Sequence, residues 1–134
     1  LAYAVSPLWP SLTVQRPRIG GEVLSHDPEV VKRYGTDPLI HGKASVRFYT
    51  ELTARLTALP KILPQLEVPI LVLRAGADRI ASPEVTARYF ALLGASTKQL
   101  ITYDGYYHEL FNEAGRETVF QDLLAWLQPF RGTP

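Results

Sequence analysis

The chain has 134 residues, 46% of them hydrophobic and 20% charged, a composition that predicts a soluble globular domain and disfavours disorder or a coiled coil. Fourteen basic and thirteen acidic side chains leave a net charge of +1, with no block of five like charges, so we expect no nucleic-acid partner. The absence of cysteine excludes disulfides, thiolate metal ligands and a cysteine nucleophile.

The first half of the chain shows helix signals but no convincing strand. Asp27 is a good N-cap and Pro28 suits the first helical position, which predicts a short helix that Gly35 terminates. A second helix is predicted over about 43–58, because one stripe of side chains recurs at spacings of three and four residues. The stripe consists of Ser45, Phe48, Leu52, Leu56 and Leu59. We expect it to pack against another part of the molecule.

The second half alternates between strands and helices. After a proline-spaced stretch, 59–69, where we place a structural boundary, Ile70–Leu73 is apolar on both faces, as in a buried parallel strand. The next helix has Ser82 as its N-cap and Gly94 after its last residue. A strand over 99–103 and a last helix complete the order strand, helix, strand, helix. The inward stripe of the last helix is predicted to be Val119, Phe120, Leu123, Leu124 and Leu127.

Two parallel strands joined by a crossover helix form the repeating unit of an open α/β sheet. Parallel sheets normally have several strands and are covered on both faces, so two strands are too few. We therefore predict a neighbour for the outer edge of Ile70–Leu73. It would come from a portion outside this chain, from a second copy, or from the helical segment folded against it.

One acid and one histidine follow the two predicted strands. Asp78 lies four residues past Arg74, and His108 lies five residues past Tyr103. Because the carboxyl ends of adjacent parallel strands lie at the same edge of a sheet, both loops should lie side by side. There, Asp78 would accept the Nδ1 proton of His108, while Nε2 takes a proton from a serine. The simpler alternatives are that Asp78 only forms a turn and that His108 only packs among the tyrosines.

No serine of this chain has the setting of a nucleophile. A nucleophile elbow needs the pattern G-x-S-x-G, and no two glycines here stand four residues apart. Ser82 is better explained as an N-cap, and we assign the nucleophile to none of the serines. The sequence also lacks methionine and begins with Leu1, so we expect it to be a piece of a longer protein.

Two phrases resemble the loops of a known enzyme family. The stretch 76–83, with the pattern G-x-x-D-x-I-x-x-P within one position, looks like the acid loop of monoacylglycerol lipase-like and lysophospholipase-like α/β-hydrolases. The stretch 103–113, with the sequence YDGYYHELFNE, is similar to the histidine loop of that family. The stretches 24–31 and 37–43 resemble its cap.

The resemblance implies a fold and two residue roles. Asp78 would be the triad acid and His108 the base, residues 1–60 would form a helical cap or lid segment, and residues 61–134 would be the C-terminal part of the α/β-hydrolase core. The chain would supply the last two parallel strands of that core with their flanking helices. Ile80, Tyr107 and Leu110 would contact substrate, although ordinary packing explains Tyr107 and Leu110 equally well.

The remaining chemistry-bearing residues do not point to a bound cofactor. His26 and His41, with acids nearby, lack the spacing of a metal site, so we predict neither metal nor cofactor. Glu109 and Glu113 would either support the histidine or start the last helix. The apolar runs are much shorter than the ~20 residues of a membrane helix, so we expect no transmembrane segment. The first residues of the sequence lack the charged start and apolar core of a signal peptide, although a truncated start would have lost one, and we expect a cytoplasmic protein.

Together with the sequence patterns, the resemblance implies the C-terminal portion of a serine ester hydrolase that acts on a small lipid ester such as a monoacylglycerol or a lysophospholipid. Its serine would come from outside this chain, and the chain alone would be inactive. The alternative is a non-enzymatic binding or self-assembly module that uses the same fold. Hydrolases with an aspartate nucleophile, thioesterases and peptidases also fit the fold.

Overall fold

The computed structural model of the chain describes residues 2–15 and 19–132. Five helices, four strands and several single 3-10 turns follow one another in these ranges. The helices and strands are α1 (Ala2–Val5), β1 (Thr13–Gln15), α2 (Pro28–Thr36), β2 (Lys43–Ser45), α3 (Val46–Ile62), β3 (Ile70–Ala75), α4 (Pro83–Leu92), β4 (Lys98–Tyr103) and α5 (Arg116–Leu127).

Strands β3 and β4 form a parallel pair with α4 as the crossover. The register runs from Ile70 opposite Lys98 to Ala75 opposite Tyr103. The predicted order of strand, helix, strand and helix is confirmed, and the pair with its crossover helix is the repeating unit of an α/β fold. β3 is two residues longer than predicted, because Arg74 and Ala75 continue the parallel pairing, opposite Thr102 and Tyr103. The Arg74 side chain also donates hydrogen bonds to the Thr102 hydroxyl at 2.8 and 3.1 Å.

The caps of α4 follow the sequence. The Ser82 hydroxyl oxygen accepts a hydrogen bond from the Val85 amide at 3.2 Å, so its role as N-cap is confirmed. The same hydroxyl donates to Glu84 at 2.6 Å. The helix ends at Leu92, Leu93 is its C-cap, and Gly94 follows directly, so the predicted end of the helix is correct to within one residue. Ser82 is therefore engaged by the start of its own helix.

The core lies between the β3–β4 pair and α5. Its buried members are Ala75, Tyr103, Leu110 and Val119, and Val119 is fully buried. The Tyr103 hydroxyl donates a hydrogen bond to Asp122 of α5 at 2.9 Å. Burial and the neighbouring Asp122 carboxylate both raise the pKa of the Tyr103 phenol far above its usual value. Tyr103 thus joins the end of β4 to α5.

The predicted inward stripe of α5 is only partly correct. Val119 is buried, whereas Phe120, Leu124 and Leu127 are 36–47% exposed. A two-stranded sheet offers too little surface to cover the whole apolar face of a helix. The exposure is consistent with a sheet that would need further strands to complete its packing.

The first half contains a small antiparallel strand pair that the sequence did not predict. β1 pairs with β2, with Val14 opposite Ala44. Each strand has three residues, which is too short to show a period of two. The predicted helix start near Lys43 is therefore wrong: Lys43 lies in β2, and α3 begins at Val46 with the Ser45 hydroxyl accepting a hydrogen bond from the Phe48 amide at 3.0 Å.

The predicted stripe of α3 does not form a core. Phe48, Leu52 and Leu56 are 44–55% exposed, whereas Val46 and Thr50 are buried. Spacing identified the helix correctly but not the face that is covered, and Ser45 is the N-cap of the helix rather than a member of the stripe. Most of the apolar face of α3 therefore lies open to solvent.

Helix α2 begins as predicted and ends later. Asp27 Oδ1 accepts a hydrogen bond from the Glu29 amide at 2.9 Å, which confirms the N-cap. Gly35 does not end the helix, because it lies inside α2, which continues to Thr36. Asp37 is the C-cap, and its extended backbone (φ −67°, ψ 118°) is the conformation that a following proline favours, so Pro38 sets the end.

The outer edge of β3 has no strand partner among the described residues. Within the described residues, the helical segment therefore does not supply the predicted neighbour of β3. Helix α3 also continues through Pro60 to Ile62, across the predicted boundary. The division into a cap of residues 1–60 and a core of residues 61–134 stays a prediction.

Candidate active site

The loop that follows β3 is organised by the side chain of Asp78. Its Oδ1 atom accepts hydrogen bonds from the amides of Ile80 and Ala81 at 2.8 and 2.9 Å. This is the turn-forming role that aspartate often has in loops. The turn leaves the second carboxylate oxygen, Oδ2, available for another partner.

The loop that follows β4 starts with a tight turn. The Tyr106 amide donates to the Tyr103 carbonyl at 3.2 Å, and Gly105 has φ +78° at the third position of this turn. A positive φ at that position is what a type II turn requires, and glycine adopts it without a steric cost. The turn reverses the chain at the end of β4 and leads directly to His108.

The two loops are held together by their backbones. The Tyr103 carbonyl also accepts the Gly76 amide at 2.8 Å, and the Tyr106 carbonyl accepts the Ala77 amide at 3.0 Å. A Cβ atom on Gly76 would lie 3.0 Å from the Tyr103 carbonyl oxygen and from the Asp104 Cα atom. Glycine at position 76 therefore allows the acid loop to approach the histidine loop this closely.

This approach brings Asp78 and His108 into contact. His108 Nδ1 lies 2.9 Å from Asp78 Oδ2, across thirty residues of sequence. The Asp78 side chain is 10% exposed, whereas the His108 side chain is 37% exposed. The described residues provide no hydrogen bond to His108 Nε2. The carboxylate thus fixes one side of the imidazole, and the other nitrogen remains accessible.

The surroundings of Asp78 favour its ionised form. Burial raises the pKa of the carboxyl group, but hydrogen bonds from the Ala81 amide, the His108 ring and the Ile80 amide outweigh it, and the net pKa lies below the usual value. A carboxylate in this state can accept the Nδ1 proton and stabilise an imidazolium. Asp78 therefore both forms the turn and orients the histidine.

An open cleft of about 480 Å³ adjoins His108. Its lining consists of Leu73, His108, Glu109, Leu110, Phe111 and Asn112. A larger cleft of about 580 Å³ lies between β4 and α5, but its lining includes neither Asp78 nor His108. The cleft beside His108 is therefore the one that relates to the acid and histidine pair.

The three predicted substrate contacts lie in different environments. Ile80 is 38% exposed on the acid loop. Leu110 lines the cleft but is 8% exposed and belongs to the core. Tyr107 is stacked on the His26 ring with centroids 3.8 Å apart, and the Arg79 guanidinium lies 5.1 Å from its centroid. A role in substrate binding stays a prediction for all three residues.

Glu113 is the site residue whose importance the sequence left open. Its side chain is 1% exposed, and it does not start the last helix, which begins at Arg116. Oε1 accepts hydrogen bonds from the Ser25 hydroxyl at 3.3 Å and from the amides of His26 and Ala114 at 2.6 and 2.8 Å. Oε2 accepts the Tyr107 amide at 2.9 Å and lies 3.0 Å from His26 Nδ1.

These contacts explain how a carboxylate is tolerated there. Burial alone raises the pKa of Glu113, but hydrogen bonds from the amides of Tyr107, His26 and Ala114 and from the His26 ring lower it below the usual value. The only signal in the sequence was the position of Glu113 five residues after His108. The partners Ser25 and His26 lie more than eighty residues earlier, which no local pattern reveals.

The other candidate metal ligands do not lie close together. His41 Nδ1 accepts the Lys43 amide at 3.3 Å in an exposed turn. In residues 2–15 and 19–132, no three side chains of the histidine, aspartate and glutamate type are arranged to hold a metal ion. No helix within the same ranges is long and apolar enough to cross a membrane.

The sequence and the fold match known hydrolases. The family model described as serine aminopeptidase, S33, matches residues 1–115. The chain is 28% identical over 128 residues to a monoacylglycerol lipase of Mycolicibacterium smegmatis, covering 95% of this chain and 45% of that protein. It is 30% identical over 110 residues to the phospholipase YtpA of Bacillus subtilis, covering 81% of this chain and 42% of that protein.

A solved structure gives the same result for the fold. The monoacylglycerol lipase of Paleococcus ferrophilus superposes with a TM-score of 0.86 at 28% identity, over 94% of this chain and 49% of that one. The chain thus spans less than half of the length of each of these three proteins.

Proposed function

Because the chain belongs to the serine aminopeptidase S33 family of α/β-hydrolases, we propose that it supplies the acid and the base of a serine ester hydrolase. The observation that carries this proposal is the 2.9 Å contact between Asp78 Oδ2 and His108 Nδ1, at the carboxyl ends of two adjacent parallel strands. The nucleophilic serine comes from outside this chain, since no G-x-S-x-G pattern occurs within it.

The reaction that fits this geometry is a two-step acyl transfer. His108 Nε2 takes the proton of the serine hydroxyl as the serine oxygen attacks the ester carbonyl. The imidazolium then gives this proton to the leaving alcohol, and the serine is left as an acyl ester. In the second step a water molecule replaces the serine, with His108 again as base. Asp78 holds the proton on Nδ1 and stabilises the imidazolium in both steps.

The substrate that we propose is a lipid ester with one acyl chain, either a monoacylglycerol or a lysophospholipid. Relatives named as a monoacylglycerol lipase and as a phospholipase support this class. The cleft beside His108 supports it too, because Leu73, Leu110 and Phe111 contribute apolar side chains to its lining. Neither a metal nor a cofactor takes part in the proposed steps.

The test compares the chain with its upstream extension. The chain alone is expected to show no turnover of p-nitrophenyl butyrate that depends on His108. The protein extended by the residues encoded before Leu1 is expected to contain a serine elbow within about 150 residues, roughly one domain, and to hydrolyse monoacylglycerol. Replacement of that serine by alanine should abolish turnover. An upstream sequence without such an elbow would refute the proposal and favour a non-enzymatic module.

A further inference from the structure

The backbone amides on both sides of His108 are held by hydrogen bonds to other parts of the chain. The Tyr107 amide, one residue before His108, donates to Glu113 Oε2 at 2.9 Å. The Glu109 amide, one residue after it, donates to the Leu24 carbonyl at 2.9 Å. The backbone is therefore anchored on both sides of the histidine, and one of the two anchors is a buried carboxylate.

The same carboxylate holds the segment from which the second anchor comes. Glu113 accepts the His26 amide at 2.6 Å and the Ser25 hydroxyl at 3.3 Å, directly after Leu24. The Ser25 hydroxyl also lies 2.8 Å from the Asn112 carbonyl. We refer to residues 24–27 as the docking turn. Glu113 thus accepts the Tyr107 amide and also binds the docking turn. The Leu24 carbonyl of that segment accepts the Glu109 amide.

Ring contacts connect the docking turn to the acid loop. The His26 ring stacks on Tyr107, and the Arg79 guanidinium lies 5.1 Å from the centroid of the same ring. Arg79 directly follows Asp78. Three segments that are far apart in sequence therefore meet around Tyr107, next to the hydrogen bond between Asp78 and His108.

We propose that Glu113 is a positioning residue for His108, which keeps the imidazole within hydrogen-bonding distance of Asp78 by clamping the histidine loop onto the docking turn. This role rests on the proposed function and deepens it. Glu113 does not touch the reacting atoms. It acts through the peptide backbone beside the base, and its loss would loosen the geometry that the triad needs.

Glutamine at position 113 is a sharp test because it has nearly the same shape. Oε1 accepts two amides and one hydroxyl, and Oε2 accepts one amide and faces His26 Nδ1. In either orientation the glutamine NH2 group would point at a backbone N–H donor, which leaves that donor without an acceptor. The matched control is Glu51→Gln, the same change at a 54% exposed side chain on α3.

The first readout is the His108 tautomer in this chain, measured by long-range proton–nitrogen NMR of the neutral imidazole. Glu113→Gln is expected to weaken the preference for the Nδ1–H form, while Glu51→Gln leaves it unchanged. Leu93→Ala, a buried substitution at the far end of α4, should destabilise the fold without altering the His108 signal. This control separates positioning from a general loss of stability.

The second readout is hydrolysis by the upstream-extended protein. Glu113→Gln should lower kcat about 10- to 100-fold with a smaller change in KM, as expected for a misplaced base. If Glu113→Gln does not fold, His26→Ala replaces it, because this change removes one donor at a 47% exposed side chain and keeps the backbone donors. It should weaken the same tautomer preference to a smaller extent.

The outcomes distinguish the two proposals. An unchanged His108 tautomer in the foldable variant, together with unchanged kcat, overturns the positioning role even if the wild-type protein hydrolyses lipid esters. A disturbed tautomer in a protein that hydrolyses no ester supports the positioning role and refutes the proposed function.

Discussion

Asp78 divides its carboxylate between its own loop and His108. Oδ1 accepts the amides of Ile80 and Ala81, and Oδ2 lies 2.9 Å from His108 Nδ1. The two interpretations that the sequence allowed for this residue, a turn former and a partner for the histidine, are therefore both correct descriptions of its contacts. The turn fixes the carboxylate so that its second oxygen is presented to the imidazole.

We predict that His108→Ala raises the pKa of Asp78 part of the way to its usual value. The His108 ring is one of the groups that lower this pKa, while the amides of Ala81 and Ile80 remain in the variant. A pH titration of the Asp78 carboxyl carbon by NMR measures the change. A variant with the same titration midpoint as the wild type would contradict the contact.

The same shift predicts how stability depends on pH. Because the pKa of Asp78 is lower in the folded state than in the unfolded state, its contribution to the free energy of unfolding is fully present above the unfolded value of about 3.9. This contribution disappears as the pH falls through the folded pKa. Urea unfolding across this acidic range should show that the free energy of unfolding falls less in His108→Ala than in the wild type.

Gly76→Ala is expected to destabilise the fold by about 1–3 kcal/mol, because its Cβ atom has to push the two loops apart. Gly35→Ala is the matched control. Its Cβ atom meets nothing within 4 Å and Gly35 lies inside α2, so this change should stabilise by about 0.5–1 kcal/mol. Urea unfolding measures both, and equal effects would show that the approach at Gly76 is not tight.

Tyr103→Phe is expected to cost about 1–2 kcal/mol in the free energy of unfolding, because the part-buried hydrogen bond from its hydroxyl to Asp122 is lost. Tyr106→Phe should cost less, since the Tyr106 hydroxyl makes a longer, exposed hydrogen bond of 3.2 Å to the Gly115 carbonyl. Urea unfolding measures both changes.

In Asp122→Asn the pKa of Tyr103 should fall, because the neighbouring negative charge contributes to raising it. Near-ultraviolet absorbance during an alkaline titration follows this change, and an unaltered Tyr103 titration would contradict the pairing.

The sequence predicted the second half of the fold better than the first. Ile70–Leu73 is a continuous apolar run with a proline before it, and Ser82 and Pro83 mark a helix start, so local chemistry and the tertiary fold agree there. In the first half, β1 and β2 have three residues each and are stabilised by pairing across the chain. Such short strands carry no periodic signal.

Burial and long-range contacts were the features that the sequence did not reveal. The stripe containing Phe48 and Leu52 has the period of an amphipathic helix, but this period does not state whether a partner covers it. Glu113 is buried because donors from the docking turn reach it, and these donors come from more than eighty residues earlier. By contrast, the pairing of Asp78 with His108 followed from the rule that parallel strands end at one edge.

The most direct test of the account is monoacylglycerol hydrolysis by the upstream-extended protein and its variants. His108→Ala should lower kcat by about 10⁶-fold and Asp78→Asn by about 10⁴-fold, as expected when a triad loses its base or its orienting acid. Ser82→Ala, a change at an N-cap, should leave kcat nearly unchanged. Retention of wild-type kcat in folded His108→Ala would contradict the assignment of this imidazole as the base.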